Sequence, residues 1–164
     1  MNLFKSKNKG MFEKVQAYLS NIDCISYGGC GLAALALFDA AKLEGKNPEI
    51  VFIYDAWSDE RSYETNTQFL QGNTKDAASS WHIVIKLEDK YYDGNGEWDG
   101  SFELNYKKYH TSTREHLIQS LIKGSWNTMF DRKKWFPKIK QFCGWEDVDI
   151  PCENGFMGAF TWEK

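Results

Sequence analysis

The strongest constraint on this chain is a glycine-flanked cysteine that opens a helical run, Ser26-Tyr27-Gly28-Gly29-Cys30-Gly31 followed by residues 32–42. Ala, Leu and Lys are strong helix formers. Ala33, Leu37 and Ala41 recur at every fourth position with Ala34 and Phe38 beside them, which makes an apolar helical stripe. The paired glycines disfavour helix, so the helix is predicted to run from about Cys30 to Leu43 and to end near Gly45. A thiol there meets the unpaired N–H groups and the positive end of the helix dipole, both of which favour thiolate. The glycines leave room for a substrate backbone beside the sulfur. Two readings of Cys30 follow: a nucleophile, or a small buried residue at a helix start, a common role for free cysteine.

Some fifty residues on, Trp81-His82-Ile83-Val84-Ile85-Lys86-Leu87 and Lys90-Tyr91-Tyr92-Asp93 flank Glu88-Asp89 and read as a β-hairpin. With Glu88-Asp89 as a two-residue turn, Leu87 pairs with Lys90, Val84 with Asp93 and His82 with Asn95. Alternation then puts His82, Asp93 and Asn95 on one face, so Asp93 or Asn95 would orient the imidazole. A three-residue turn would move both to the other face. Alone, His82 reads as a half-buried strand histidine bonded to a neighbour. Beside Cys30 and an acid eleven residues downstream, it completes the three parts of nucleophilic acyl transfer: nucleophile, base and orienting group.

Gly-Gly-Cys-Gly at a helix start, a Trp-His strand and Tyr-Tyr-Asp-Gly-Asn-Gly, in that order, resemble the papain-like cysteine hydrolase and transglutaminase-like superfamily. The resemblance covers residues 26–96. It implies an α+β fold with the nucleophile-bearing helix packed on a small antiparallel sheet. It also implies Cys30 as nucleophile, His82 as general base and acid, and Asp93 as orienter. The pattern is similar, too, to small hypothetical proteins common in bacteriophage genomes. Two departures stand out. Gly31-Leu32 follow Cys30, so the papain signature Cys-Gly-Ser/Ala-Cys-Trp/Tyr is not present. Papain-like proteases carry an oxyanion-holding glutamine six residues before the nucleophile, where this chain has Cys24. The Cys30 N–H is then the first candidate oxyanion donor, with the Ser26 and Tyr27 hydroxyls as weaker ones.

At 164 residues the chain is read as one domain, large enough to bury a core without disulfides. Residues 1–10 read as a tail, 26–96 as the catalytic-like core and 101–164 as C-terminal helices with an aromatic end. The net charge of -3 points to neither nucleic acid nor an anionic membrane. No signal peptide or membrane span is read, so the expected setting is the cytoplasm of a bacterium or phage-infected host, with Cys24, Cys30, Cys143 and Cys152 reduced. A Cys24–Cys30 or Cys143–Cys152 disulfide is the other possibility, and one at Cys30 would block the chemistry.

Elsewhere, residues 11–22 carry a helical face of Phe12, Val15, Tyr18 and Leu19, and residues 49–54 read as a strand. Residues 55–80 read as a long polar loop just before His82, either a lid or substrate wall or a floppy insertion. Residues 101–106 alternate like a strand. Thr111-Ser112-Thr113 caps a helix over residues 116–122 that ends at Gly124, and residues 129–142 form a helix interrupted at Pro137.

Other chemistries find little support. His110 and His116 with Cys143 and Cys152 lack zinc spacing, so no metal or other cofactor is expected. Arg132-Lys133-Lys134-Trp135-Phe136 and Lys138-Ile139-Lys140 suit a solvated helix face, with Trp135, Phe136 and Ile139 turned inward, better than a nucleic-acid surface. The expected function is a cysteine hydrolase acting on an amide, isopeptide or thioester bond of a peptide or protein. The alternative is an inactive binding protein of the same fold, for instance one that a phage uses to occupy a host protein. Nothing in the sequence fixes an oligomeric state.

Overall fold

The computed structural model describes residues 10–55, 57–99, 108–124 and 129–152. They form an α+β fold of five helices and a five-stranded antiparallel sheet. Helix α1 (Met11–Leu19) buries Phe12, Val15 and Leu19. It stops three residues short of the predicted helix. Gly10 gives it no side-chain cap; instead the Glu44 carboxylate accepts the Phe12 N–H at 2.7 Å.

Helix α2 (Cys30–Leu43) has the predicted bounds and is the centre of the core. Nine of its residues are buried, because α1, the sheet and the C-terminal helices surround it. Asp39, a charge within this apolar run, accepts both Nε and Nη2 of Arg114 at 2.8 Å and the Trp145 indole N–H at 2.9 Å. Arg114 also donates to Asp147 at 2.7 Å. One bidentate pair thus fastens the 145–147 segment and the start of the fourth helix to α2.

Strand β1 (Glu49–Tyr54) pairs with β2 (His82–Leu87), which pairs with β3 (Lys90–Asp93), then β4 (Gly96–Trp98); β5 (Lys108–Ser112) lies on the far side of β1. The hairpin register is the one expected from a two-residue turn, with Leu87 opposite Lys90. Glu88 and Asp89 take φ of 52° and 68°, the left-handed pair that a tight turn between twisted strands requires. The pleat sorts the strands: Ile50, Phe52, Ile83, Ile85 and Leu87 join the main core with α2, while Val51, Ile53 and Val84 form a small cluster with Tyr91 and Trp98.

Three expectations need correction. Residues 55–80 are not one loop: they contain helix α3 (Glu60–Leu70). Its inward side is carried by Tyr63, Asn66 and Thr67, so it shows no aliphatic stripe; Asn66 is its one fully buried residue. Strand β5 was not foreseen, because Lys-Tyr-His-Thr-Ser is half exposed; the strand expected over residues 101–106 lies outside the described residues. Pro137 sits inside helix α5 (Arg132–Cys143) without interrupting it. Losing one N–H there is outweighed by burial of Phe136 and Ile139 on either side. Trp135 is half-buried, with the Lys134 and Lys138 ammonium groups 4.9 and 5.1 Å from its ring centre. Helix α4 (Arg114–Lys123) starts at the expected cap, Thr113 accepting the His116 N–H at 3.1 Å, and ends at Gly124. Among the described residues no helix is long and apolar enough to cross a membrane.

Candidate functional site

The first turn of α2 and the open end of the β2–β3 hairpin face each other across a cleft of about 630 Å³. Two short turns deliver Cys30 to it, Ile25 N–H to Ile22 O and Tyr27 N–H to Cys24 O, with Cys24 at φ 60° and Gly28 at φ 117°. As the first helical residue, Cys30 has an N–H with no intrahelical acceptor. His82 is the first residue of β2 and Asp93 the last of β3, so the hairpin itself brings them together.

His82 Nε2 lies 3.2 Å from Asp93 Oδ2, and the two residues are 7% and 6% exposed. Burial alone pushes the imidazole down. Hydrogen bonds to Asp93 and to Cys30, with the charges of both groups, overcome it and raise His82 to about 9. An imidazolium held between a carboxylate and a thiol is the result. The rings of Trp81 and Trp98 flank it, with centroids 5.6 and 5.3 Å away.

Asp93 is itself held. Its Oδ1 accepts the Asn95 N–H at 2.8 Å. The Gln16 side chain of α1 donates to the carbonyls of Asp93 (2.9 Å) and Gly94 (3.2 Å). Gly94 fits because it has no side chain: a Cβ there would come within 2.5 Å of Ile25. Replacing Gln16 by leucine removes both clamps on the turn. That variant is expected to lower unfolding stability by about 1–3 kcal/mol and to shift the His82 titration downward. Urea unfolding and NMR titration of the imidazole check the two effects separately.

Asn95 does not face His82 across the strands. It lies in the β3–β4 turn, after β3 has ended, and its side chain donates to Ser26 Oγ at 3.0 Å. It therefore ties the turn that carries the acid to the turn that carries the thiol. Ser26 and Tyr27 both line the cleft, Tyr27 at the rim with 61% exposure. Cys24 is half-buried and does not line it.

The opposite wall includes Ser79 and Ser80. Asn66 pins it as a strand would: its amide donates to Ala78 O at 3.0 Å and its carbonyl accepts Ala78 N–H at 2.8 Å. Ser120 Oγ adds a third bond to Ala78 O at 2.9 Å. Of the two readings of this segment, the geometry is that of a fixed wall. Sequence reasoning missed Gln16, Asn66, Trp98 and Ser120. Each acts through tertiary contact, and only Trp98, two residues past the Gly94-Asn95-Gly96 turn, lies near a recognised motif.

All four cysteines are free. Among the described residues no group of three or more His, Cys, Asp and Glu side chains could hold a metal ion. His110 bonds instead to Thr67 (2.8 Å) and Tyr54 (3.1 Å), and His116 to Ser112 (2.6 Å). No protein-family model, curated protein or solved structure matches this chain.

Proposed function

We propose that the protein is a cysteine hydrolase that cleaves an amide, isopeptide or thioester bond in a peptide or protein. The observation that carries this reading is the buried His82–Asp93 pair, with Cys30 bonded to the same imidazole at the edge of an open cleft. The order Cys, His, Asp and its resemblance to papain-like and transglutaminase-like enzymes support it.

In this mechanism the Cys30 thiolate attacks the carbonyl carbon and a C–S bond forms. The oxyanion meets the Cys30 N–H, one of the unpaired donors at the helix start. With Nε2 engaged by Asp93, His82 uses Nδ1 to protonate the leaving amine or thiol as the C–N or C–S bond breaks. Water then attacks the thioester. His82 takes its proton, the C–S bond breaks, and the acid leaves with Cys30 restored. Asp93 keeps the ring oriented through both halves and favours its return to the charged form.

Alkylation by iodoacetamide, read at each cysteine by mass spectrometry, tests the pair. At pH 7 Cys30 is expected to react at least about tenfold faster than Cys143, whose thiol burial pushes up to about 12. His82→Ala removes that advantage, and Cys30→Ala abolishes turnover while leaving the fold intact. Equal rates at Cys30 and Cys143, or no response to His82→Ala, would sink the enzyme reading. One observation favours the alternative, a binding protein that keeps the fold without turnover: Cys24, at the place of the family's oxyanion glutamine, does not reach the cleft.

A further inference from the structure

The charged groups in the cleft suggest what sits beside the reacting bond. Among the described residues that line it, the ionisable side chains are Tyr27, Cys30, His82, Asp93 and Glu97, and there is no lysine or arginine. The positive imidazolium and the Asp93 carboxylate, 3.2 Å apart, offset each other. What is left is the thiolate of the reactive form and the carboxylate of Glu97. Lys90 approaches Glu97 only at 3.9 Å, and both side chains are more than half exposed. Such a pair is weak and leaves most of the carboxylate's acceptor positions open. Trp98, the next residue on the strand, also lines the cleft, with its ring 5.3 Å from that of His82. An indole there attracts a cation through its ring quadrupole.

Resting on the acyl-transfer reading of Cys30, we propose that the cleft selects substrates with a cationic group near the bond attacked, a lysine or arginine side chain or a protonated amine, drawn there by the Glu97 carboxylate. A carboxylate in that place would face Glu97 and the thiolate with no lysine or arginine to receive it. An uncharged group would leave the Glu97 carboxylate partly desolvated without compensation.

Two methanethiosulfonate reagents with the same reactive group test this, one carrying a trimethylammonium and the other a sulfonate. With either, the thiolate attacks the sulfenyl sulfur, an S–S bond forms at Cys30 and methanesulfinate leaves. The ratio of the two rates, read at Cys30 by mass spectrometry and divided by the same ratio for 2-mercaptoethanol, isolates the cleft's preference. We expect it to favour the cation by about fivefold at low salt, the effect of one charge about 8 Å away in water that attracts one reagent and repels the other. Glu97→Gln and 0.5 M sodium chloride should each bring it back towards one. A normalised ratio at or below one overturns the proposal, as does a ratio that Glu97→Gln leaves unchanged. The outcome is separate from that of the enzyme reading, which stands or falls on the uncharged reagent and His82→Ala.

Discussion

Replacing Asp93 by alanine is expected to bring the titration of His82 from about 9 to below its ordinary 6.5 and to slow acyl transfer on the order of a thousandfold. The reasoning rests on the order of the causes. Burial is the largest influence on this imidazole and it favours the neutral form. The Asp93 hydrogen bond is the next largest, ahead of anything Cys30 contributes. Without the carboxylate, burial wins, the ring is neutral at pH 7 and Nε2 loses its partner, so the imidazole is free to turn. Asn95 also loses the acceptor for its N–H, which loosens the turn that ties to Ser26. Asp93→Asn keeps a partner but no charge and should fall between. In the wild type, the reactivity advantage of Cys30 should persist up to about pH 9 and fall as the imidazolium loses its proton. In Asp93→Ala that decline moves below pH 6.5. NMR titration of His82 decides the matter: a value still near 9 in Asp93→Ala would show that the carboxylate does not set the charge of the ring.

The second large effect is on stability, which should peak near pH 6.5 and fall on both sides. His82 rises from 6.5 in the unfolded chain to about 9 in the folded one. Its contribution is therefore complete below pH 6.5 and is lost as pH climbs through 9. His116 goes the other way. Burial, and then the charge of His110, push it down to about 4. It is fully buried, Phe52 and Phe69 lie against its ring, and its Nε2 has no hydrogen-bond partner. Its contribution is complete above pH 6.5 and is lost as pH falls through 4. At about 1.4 kcal/mol per pH unit, each limb amounts to about 3 kcal/mol, a large share of the 5–15 kcal/mol that holds an ordinary domain together. Urea unfolding at pH 4.5, 6.5 and 8.5 measures both limbs. His116→Phe should flatten the acid side and leave the alkaline side in place; His82→Ala should do the reverse. A flat profile in the wild type would contradict both assignments.

The parts of the site that were legible in the sequence are those set by local rules. Glycines before Cys30 and an alanine-leucine run after it fix where α2 begins, and the length of the Glu88-Asp89 turn fixes which face His82 and Asp93 share. Asn95 was placed wrongly because pairing was extended past Asp93, where the chain instead turns at Gly94-Asn95 to start β4. α3 was invisible because the side chain it buries is an amide. Asn66 earns its burial by bonding Tyr54 and Ala78, and such a bond has no period to detect. β5 was missed for a related reason. It gains its place by pairing with β1 across more than fifty positions, from Tyr54 opposite Lys108 to Ile50 opposite Ser112, not by apolar content. Gln16 is the extreme case: a polar residue on a helix whose two acceptors are 77 and 78 positions away.

The hairpin that joins His82 to Asp93 closes through a two-residue turn, whereas Cys30 meets them only when α2 docks on the sheet. Local hairpins form within microseconds, while contacts between distant segments wait on loop closure and collapse. The acid–base half of the centre can thus assemble while the chain is still open, and the sulfur arrives only when α2 packs against the sheet. A refolding chain would regain the β2–β3 hairpin first and its fast-reacting thiol afterwards, so the chemistry of Cys30 serves as a clock for the docking of α2.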